Sequence, residues 1–224
     1  ESRTRRWFHA VPKLIPVFVP VILMVLGALL WAAWPSFQFG GERPVGVVTY
    51  RQGAVSTGHV SHARLRNVRV RDIVTDGGTY LTGTDGRLQL GLAGPSHVAV
   101  YENTLVEVNN AREVVLRCGG VFLDVARDVR PFIMRTPNGN IRVLGTSFHV
   151  DITDSGTEVT VVNGEVLVEN DKSFARAKRG CQVVFLSGQL PVVRQNIDVG
   201  PYLAQARAIN PDTVAERYFL SRIN

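Results

Sequence analysis

Between Val45 and Ile197 the apolar residues recur at every second position, as in Leu88, Leu90 and Leu92, Val98 and Val100, Val106 and Val108, Val114 and Leu116, Ile141 and Val143, Val159 and Val161, and Val166 and Val168. A period of two places alternate side chains on one face of an extended chain, whereas a helix needs about 3.6. The runs are short. Asp76-Gly77, Asp85-Gly86, Asn138-Gly139, Asn163-Gly164 and Ser187-Gly188 separate them, and such pairs supply the backbone conformations of tight turns. Turn signals this frequent, with almost no helical pattern between them, predict a mainly β fold over residues 45–197, as an antiparallel β-sandwich or a twisted β-solenoid. They argue against βαβ crossovers. No internal repeat is exact.

A second feature constrains the N-terminus: Leu14 to Trp34 contains no charged residue, and none appears before Glu42. As a helix this run would extend about 32 Å, enough for the apolar core of a bilayer. The pattern predicts a single transmembrane helix over residues 14–34, opened by Leu14, with residues 35–44 as a Pro- and Gly-broken linker. Trp7 and Phe8 at one end and Trp31, Trp34 and Phe37 at the other fit the aromatic belts of a membrane anchor. A cleaved signal peptide is the competing reading. The run is longer than a usual signal core of about 7–15 residues, and Trp31 and Trp34 make a poor cleavage site.

Charge divides at the same place. Residues 1–13 carry Arg3, Arg5, Arg6 and Lys13 against Glu1, while from Glu42 onward 21 basic residues face 18 acidic ones. Half of the net charge of +6 is therefore a cluster beside the membrane, so the high pI is no argument for nucleic-acid binding. The basic end is expected in the cytoplasm and the bulk of the chain in the periplasm, anchored in the inner membrane. The lipid bilayer is thus one partner. Residues 198–224 change character again. A short helix is expected over Tyr202 to Ile209, and a second one after Asn210-Pro211-Asp212, where Val214, Tyr218, Phe219 and Ile223 make one apolar stripe. That stripe is expected to pack on the β region.

The strand motifs themselves resemble those of FecR-like domains. The run from Arg130 to Val150 is similar to the family's R-P-F, T-P-x-G and V-x-G-T-x-F-x-V elements, through Arg130, Pro131, Phe132, Thr136, Pro137, Gly139, Gly145, Thr146 and Phe148. Asp85 and Gly86 open a stretch similar to its D-G-R-x-x-L-x-L strand, and Leu116–Val125 and Val159–Val168 match two further strands in order. The resemblance covers roughly residues 45–185. Physically these residues read as architecture, with Gly145 for close approach or positive φ, Phe122, Phe132 and Phe148 for the core, and the Asn-Gly pairs for turns. The resemblance implies a non-enzymatic, single-pass inner-membrane protein whose periplasmic domain takes a signal from an outer-membrane receptor and whose cytoplasmic part controls a sigma factor.

The residues offer little catalytic chemistry. His59-x-x-His62 has metal-ligand spacing, but in a strand the two face opposite ways, with no further ligand close in sequence. His97 and His149 fall on strands as satisfied or exposed positions, and His9 falls at the edge of the span. Ser96, Ser147 and Thr146 lack a nucleophile elbow. No enzyme, metal or cofactor is expected. Cys118 and Cys181, the only cysteines, would close a loop of about 60 residues if bonded, worth about 4 kcal/mol; two buried free thiols is the other reading.

Two functions remain. Only 13 residues precede the span, too few for a sigma-binding domain, so the first expectation is an accessory or structural subunit stabilising a larger inner-membrane complex of integral membrane proteins, with the β domain as its protein-interaction module. The alternative is the signal relay itself, with a sigma factor or an outer-membrane receptor as partner.

Overall fold

The computed structural model describes residues 43–59 and 62–209. The span expected over residues 14–34, its markers Trp7, Leu14, Trp31 and Trp34, and the apolar stripe from Val214 to Ile223 lie outside them. Among the described residues no helix is long and apolar enough to cross a membrane.

Seventeen strands follow one another: β1 (Pro44–Gln52), β2 (Val55–His59), β3 (His62–Asn67), β4 (Ile73–Thr75), β5 (Gly78–Thr82), β6 (Arg87–Leu92), β7 (Ser96–Val100), β8 (Leu105–Asn110), β9 (Glu113–Asp124), β10 (Phe132–Thr136), β11 (Gly139–Val143), β12 (Ser147–Thr153), β13 (Gly156–Asn163), β14 (Glu165–Glu169), β15 (Phe174–Lys178), β16 (Gln182–Phe185) and β17 (Val192–Arg194). A helix, α1 (Gly200–Ile209), comes after them. The period-two reading is therefore correct in kind, and the short helix expected at Tyr202 to Ile209 begins two residues earlier.

Strand pairing sorts the chain into two layers. Layer A runs β4-β1-β6-β7-β9-β12-β13-β16-β17. Layer B runs β3-β2-β5-β8-β9-β10-β11-β14-β15. All pairs are antiparallel except β9 with β10. One strand belongs to both layers. Residues 113–118 of β9 pair with β8 in layer B, and residues 119–124 pair with β12 in layer A. The corner falls at Gly119, whose φ is +79° and where a Cβ would overlap the Thr104 hydroxyl. Thr104 Oγ1 in turn accepts the Gly120 N–H at 3.0 Å.

This resolves the sandwich-or-solenoid alternative in favour of a combination. The chain winds back and forth between two packed layers, as a coil would, and the layers enclose one core. Val48, Leu88, Leu90, Val106, Leu116, Leu123, Phe132, Met134, Ile141, Phe148, Val159, Val166 and Phe185 are among its buried members. β9 divides the domain as well as joining it. In each layer the four strands on one side of it come from β1–β8 and the four on the other from β10–β17, and among the described residues no strand pairing bypasses it. A second apolar cluster lies on the outer face of layer A, where Leu203, Ala206 and Ile209 of α1 cover Ala99, Tyr101, Phe122 and Val162.

The two cysteines are free. The bond considered from the sequence does not form: Cys118 sits exposed at the β9 corner opposite Leu105, while Cys181 precedes β16 and packs against the core. Only Cys181 approaches the buried-thiol alternative.

Candidate functional site

The motif residues take up the architectural roles that their types suggest. Phe132 and Phe148 are fully buried in the core from opposite layers. Asp85 and Gly86 form the β5–β6 turn against the β1–β2 turn: Asp85 Oδ1 accepts the Ala54 N–H at 3.1 Å. Gly86 is required there by proximity, since a Cβ would overlap the Ala54 carbonyl oxygen. Thr136, Pro137 and Gly139 build the β10–β11 turn, with Thr136 Oγ1 donating to the Gly139 carbonyl at 2.9 Å. Asn138 ties that turn to β13 through Thr157 Oγ1 at 3.0 Å.

Arg130, Pro131, Gly145 and Thr146 meet at the other end of the domain. After β9 the chain must return from layer A to layer B to start a parallel strand, and residues 125–131 make that crossover. The β11–β12 turn clamps it. The Val125 N–H donates to the Thr146 carbonyl at 3.0 Å and the Asp128 N–H to the Leu144 carbonyl at 2.8 Å. Gly145 lies directly under the crossover, where a Cβ would come within 2.8 Å of Arg127 Cα. Close approach, not positive φ, is thus the reason for glycine at 145. Thr146 is buried and donates to the Glu165 carbonyl at 2.8 Å.

The crossover forms one wall of a groove of about 820 Å³, completed by residues 43–45, the β6–β7 turn and the β8–β9 turn. Its charged members are Arg43, Arg112, Arg127, Arg130, Glu113 and Asp128. Arg112 is fixed from several sides. Its N–H donates to Asn110 Oδ1 at 2.8 Å, Nε to the Pro131 carbonyl at 3.4 Å and Nη1 to Asp128 Oδ2 at 3.5 Å, and its Cζ stands 6.0 Å from the Phe132 ring centroid. Asp128 also accepts the Arg130 N–H at 3.0 Å and Nη2 at 3.4 Å, and that backbone bond first, then the two guanidiniums, hold its carboxyl below the usual range. Glu113 is held low chiefly by Arg135, whose Nε lies 2.6 Å away. Sequence reading found Arg130 and Pro131 through the motif but missed Arg43, Arg112 and Arg127. The topology alone gathers them, and the closest sequence signal is the pair of arginines flanking Asp128.

A second polar cluster lies beneath α1. His149 is buried between Tyr101 and Tyr202, with ring centroids 5.5 and 4.7 Å away, and its Nδ1 has no hydrogen-bond partner among the described residues. Burial pushes its pKa down to about 4. The expectation of an exposed or satisfied strand histidine is thus incorrect, because Tyr202 closes over it from the helix. Tyr101 is pushed upward by burial and by the Asp151 charge, and Asp151 itself is raised by burial and by Glu158.

His59 and His62 are register partners across the β2–β3 hairpin, not successive residues of one strand, which removes the opposite-faces argument. His59 Nε2 is hydrogen-bonded to the Asp76 carbonyl at 3.0 Å. No group of three His, Cys, Asp or Glu among the described residues could hold a metal ion.

No curated protein matches this sequence. Two crystal structures of a candidate anti-sigma factor from Parabacteroides distasonis, at 2.50 and 1.65 Å resolution, are similar at 22% identity with TM-scores of 0.48 and 0.47. The similarity covers 56% of this chain and 62% of each of those. Residues 78–167 match the family model described as FecR protein. The matched segment opens with the first residue of β5 and closes inside β14, so it takes in the β9 corner, the crossover and the turn that clamps it. Over residues 78–167 the chain carries a FecR domain, and it is a FecR-like domain protein.

Proposed function

We propose that this protein is a FecR-type signal relay: a non-enzymatic regulator, anchored once in the inner membrane, whose periplasmic β domain receives a signal from an outer-membrane receptor and passes it toward a cytoplasmic sigma factor. The observation that carries this reading is the FecR match over residues 78–167. Two features support it. The basic residues 1–13 ahead of an uncharged run orient such an anchor with its N-terminus inside. The motif residues serve as turns, clamps and core, which leaves surfaces and grooves as the means of action. The accessory-subunit expectation draws no comparable support from the family match.

Affinity isolation of the native gene product from cross-linked membranes, with mass spectrometry of what accompanies it, tests the proposal. A sigma factor or an outer-membrane receptor in the eluate is the expected result. Stoichiometric integral membrane proteins with neither of those would overturn the relay and restore the subunit reading.

A further inference from the structure

The groove at the crossover holds more positive charge than it uses. Of its two carboxylates, Glu113 is engaged by Arg135 and by Asn109 Nδ2 at 3.2 Å, and Asp128 by Arg112 and Arg130. No described acceptor pairs with the guanidinium of Arg43 or Arg127, and Nη2 of Arg112 is buried with no partner. Arg112 is also rigid, because the Pro131 carbonyl, Asp128 and the Phe132 ring fix its plane. Its Nη2 lies below the surface, so the charge that the groove presents to a ligand is carried by the exposed Arg43, Arg127 and Arg130.

The geometry points to an acidic peptide segment of a partner protein as the ligand of this groove, with its carboxylates received by the exposed Arg43, Arg127 and Arg130 around the fixed Arg112. Every cation in the lining is arginine and none is lysine, and the planar fork of arginine matches the planar, two-oxygen carboxylate. The remaining surface favours a peptide over a bare inorganic anion. Pro44, Val45, Ala93, Pro95, Ala111 and Ile133 give the groove small apolar walls on which a chain and its side chains can lie. A volume of about 820 Å³ suits a segment of a few residues. The excess of arginine over carboxylate would also steer an acidic segment toward the groove at low salt. This inference is independent of the relay, since the groove binds its ligand whether or not the chain controls a sigma factor.

Fluorescence anisotropy of the full chain tests it, with a fluorescein-labelled Ala-Asp-Glu-Asp-Ala peptide, the matching Ala-Asn-Gln-Asn-Ala peptide, and inorganic phosphate as competitor. The acidic peptide is expected to bind at least about tenfold more tightly than the amide one, with affinity falling as salt rises. Arg112→Gln should weaken that preference. Because Arg112 also braces the crossover, Arg130→Gln and Arg127→Gln serve as variants at exposed side chains, each expected to weaken binding several-fold. Arg176→Gln, on β15 at the edge of layer B and outside the lining, should leave binding unchanged. Equal binding of the two peptides, or indifference to both Arg130→Gln and Arg127→Gln, would overturn the inference. Displacement by phosphate at concentrations equal to the peptide would also overturn it, in favour of a small-anion site.

Discussion

Layer A and layer B are built from the same kind of strand but meet the solvent differently. In layer A, β6 buries five residues in a row, Leu88–Leu92, and the second half of β9 and most of β13 are likewise buried without alternation. In layer B, outside the first half of β9, the alternation is clear, with Val106 and Val108 inside β8, Ile141 and Val143 inside β11, and Val166 and Val168 inside β14. The outward positions of layer B carry a ladder of cross-strand ion pairs: Arg117–Glu107 at 3.2 Å, Arg135–Glu113 at 2.6 Å, Arg142–Glu169 at 3.0 Å and Arg176–Glu165 at 3.3 Å. Alternation marks a sheet with one wet face, and continuous burial marks one covered on both. The cover on layer A is α1. The lesson is that a short helix after the last strand sets the second-face composition of strands far from it in sequence, including the place of His149.

Four measurements break or sharpen that contrast. The largest effect is expected in the shared core, where the layers should behave alike: Phe132→Ala from layer B and Phe148→Ala from layer A should each cost about 3–5 kcal/mol in denaturant unfolding. A clearly smaller cost for one of them would mean that the layers do not share one core.

The next largest is particular to layer A. His149 has a folded pKa of about 4 against an ordinary 6.5, so between these values the unfolded chain binds the extra proton. Stability is therefore full above about pH 6.5 and falls as the pH drops toward 4, by at most about 3 kcal/mol. His149→Gln should flatten that part of the stability profile, and an unchanged slope would show that the helix does not seal the imidazole.

Leu203→Ala should cost about 2 kcal/mol and make the outer face of layer A bind a hydrophobic dye, with no such change on layer B. The smallest effect is on layer B, where a double-mutant cycle on Arg142 and Glu169 should give a coupling of only about 0.2–1 kcal/mol, shrinking with salt. A large coupling there would mean that the charged face is itself covered.

The same contrast explains what could be read from the sequence. The strands and several turns were legible because period-two alternation and the Asp-Gly and Asn-Gly pairs are local signals, and the motif glycine at 145 offered close approach or positive φ, of which the structure shows the first. The assignment of strands to layers was not legible. Gly119 turns β9 from one layer to the other in the middle of what reads as a single strand, and only the pairing partners on either side reveal it. His149 was misread because its aromatic lid, Tyr202, stands on α1. The groove escaped for a similar reason: Arg43 stands just before β1, Arg112 in the β8–β9 turn and Arg127 in the crossover, and nothing local in the sequence links the three.

Because every strand pairing between the two halves passes through β9, that strand acts as a mechanical joint. A pull between β1 and β17 is a pull across one twelve-residue seam. α1 is bolted over the joint, touching Ala99 and Tyr101 on one side, Phe122 on the seam and Val162 on the other. A domain assembled this way resists sliding of its layers and concentrates any yielding along a single line. Force or torque arriving at one end would be felt at the other only as far as that joint stays closed.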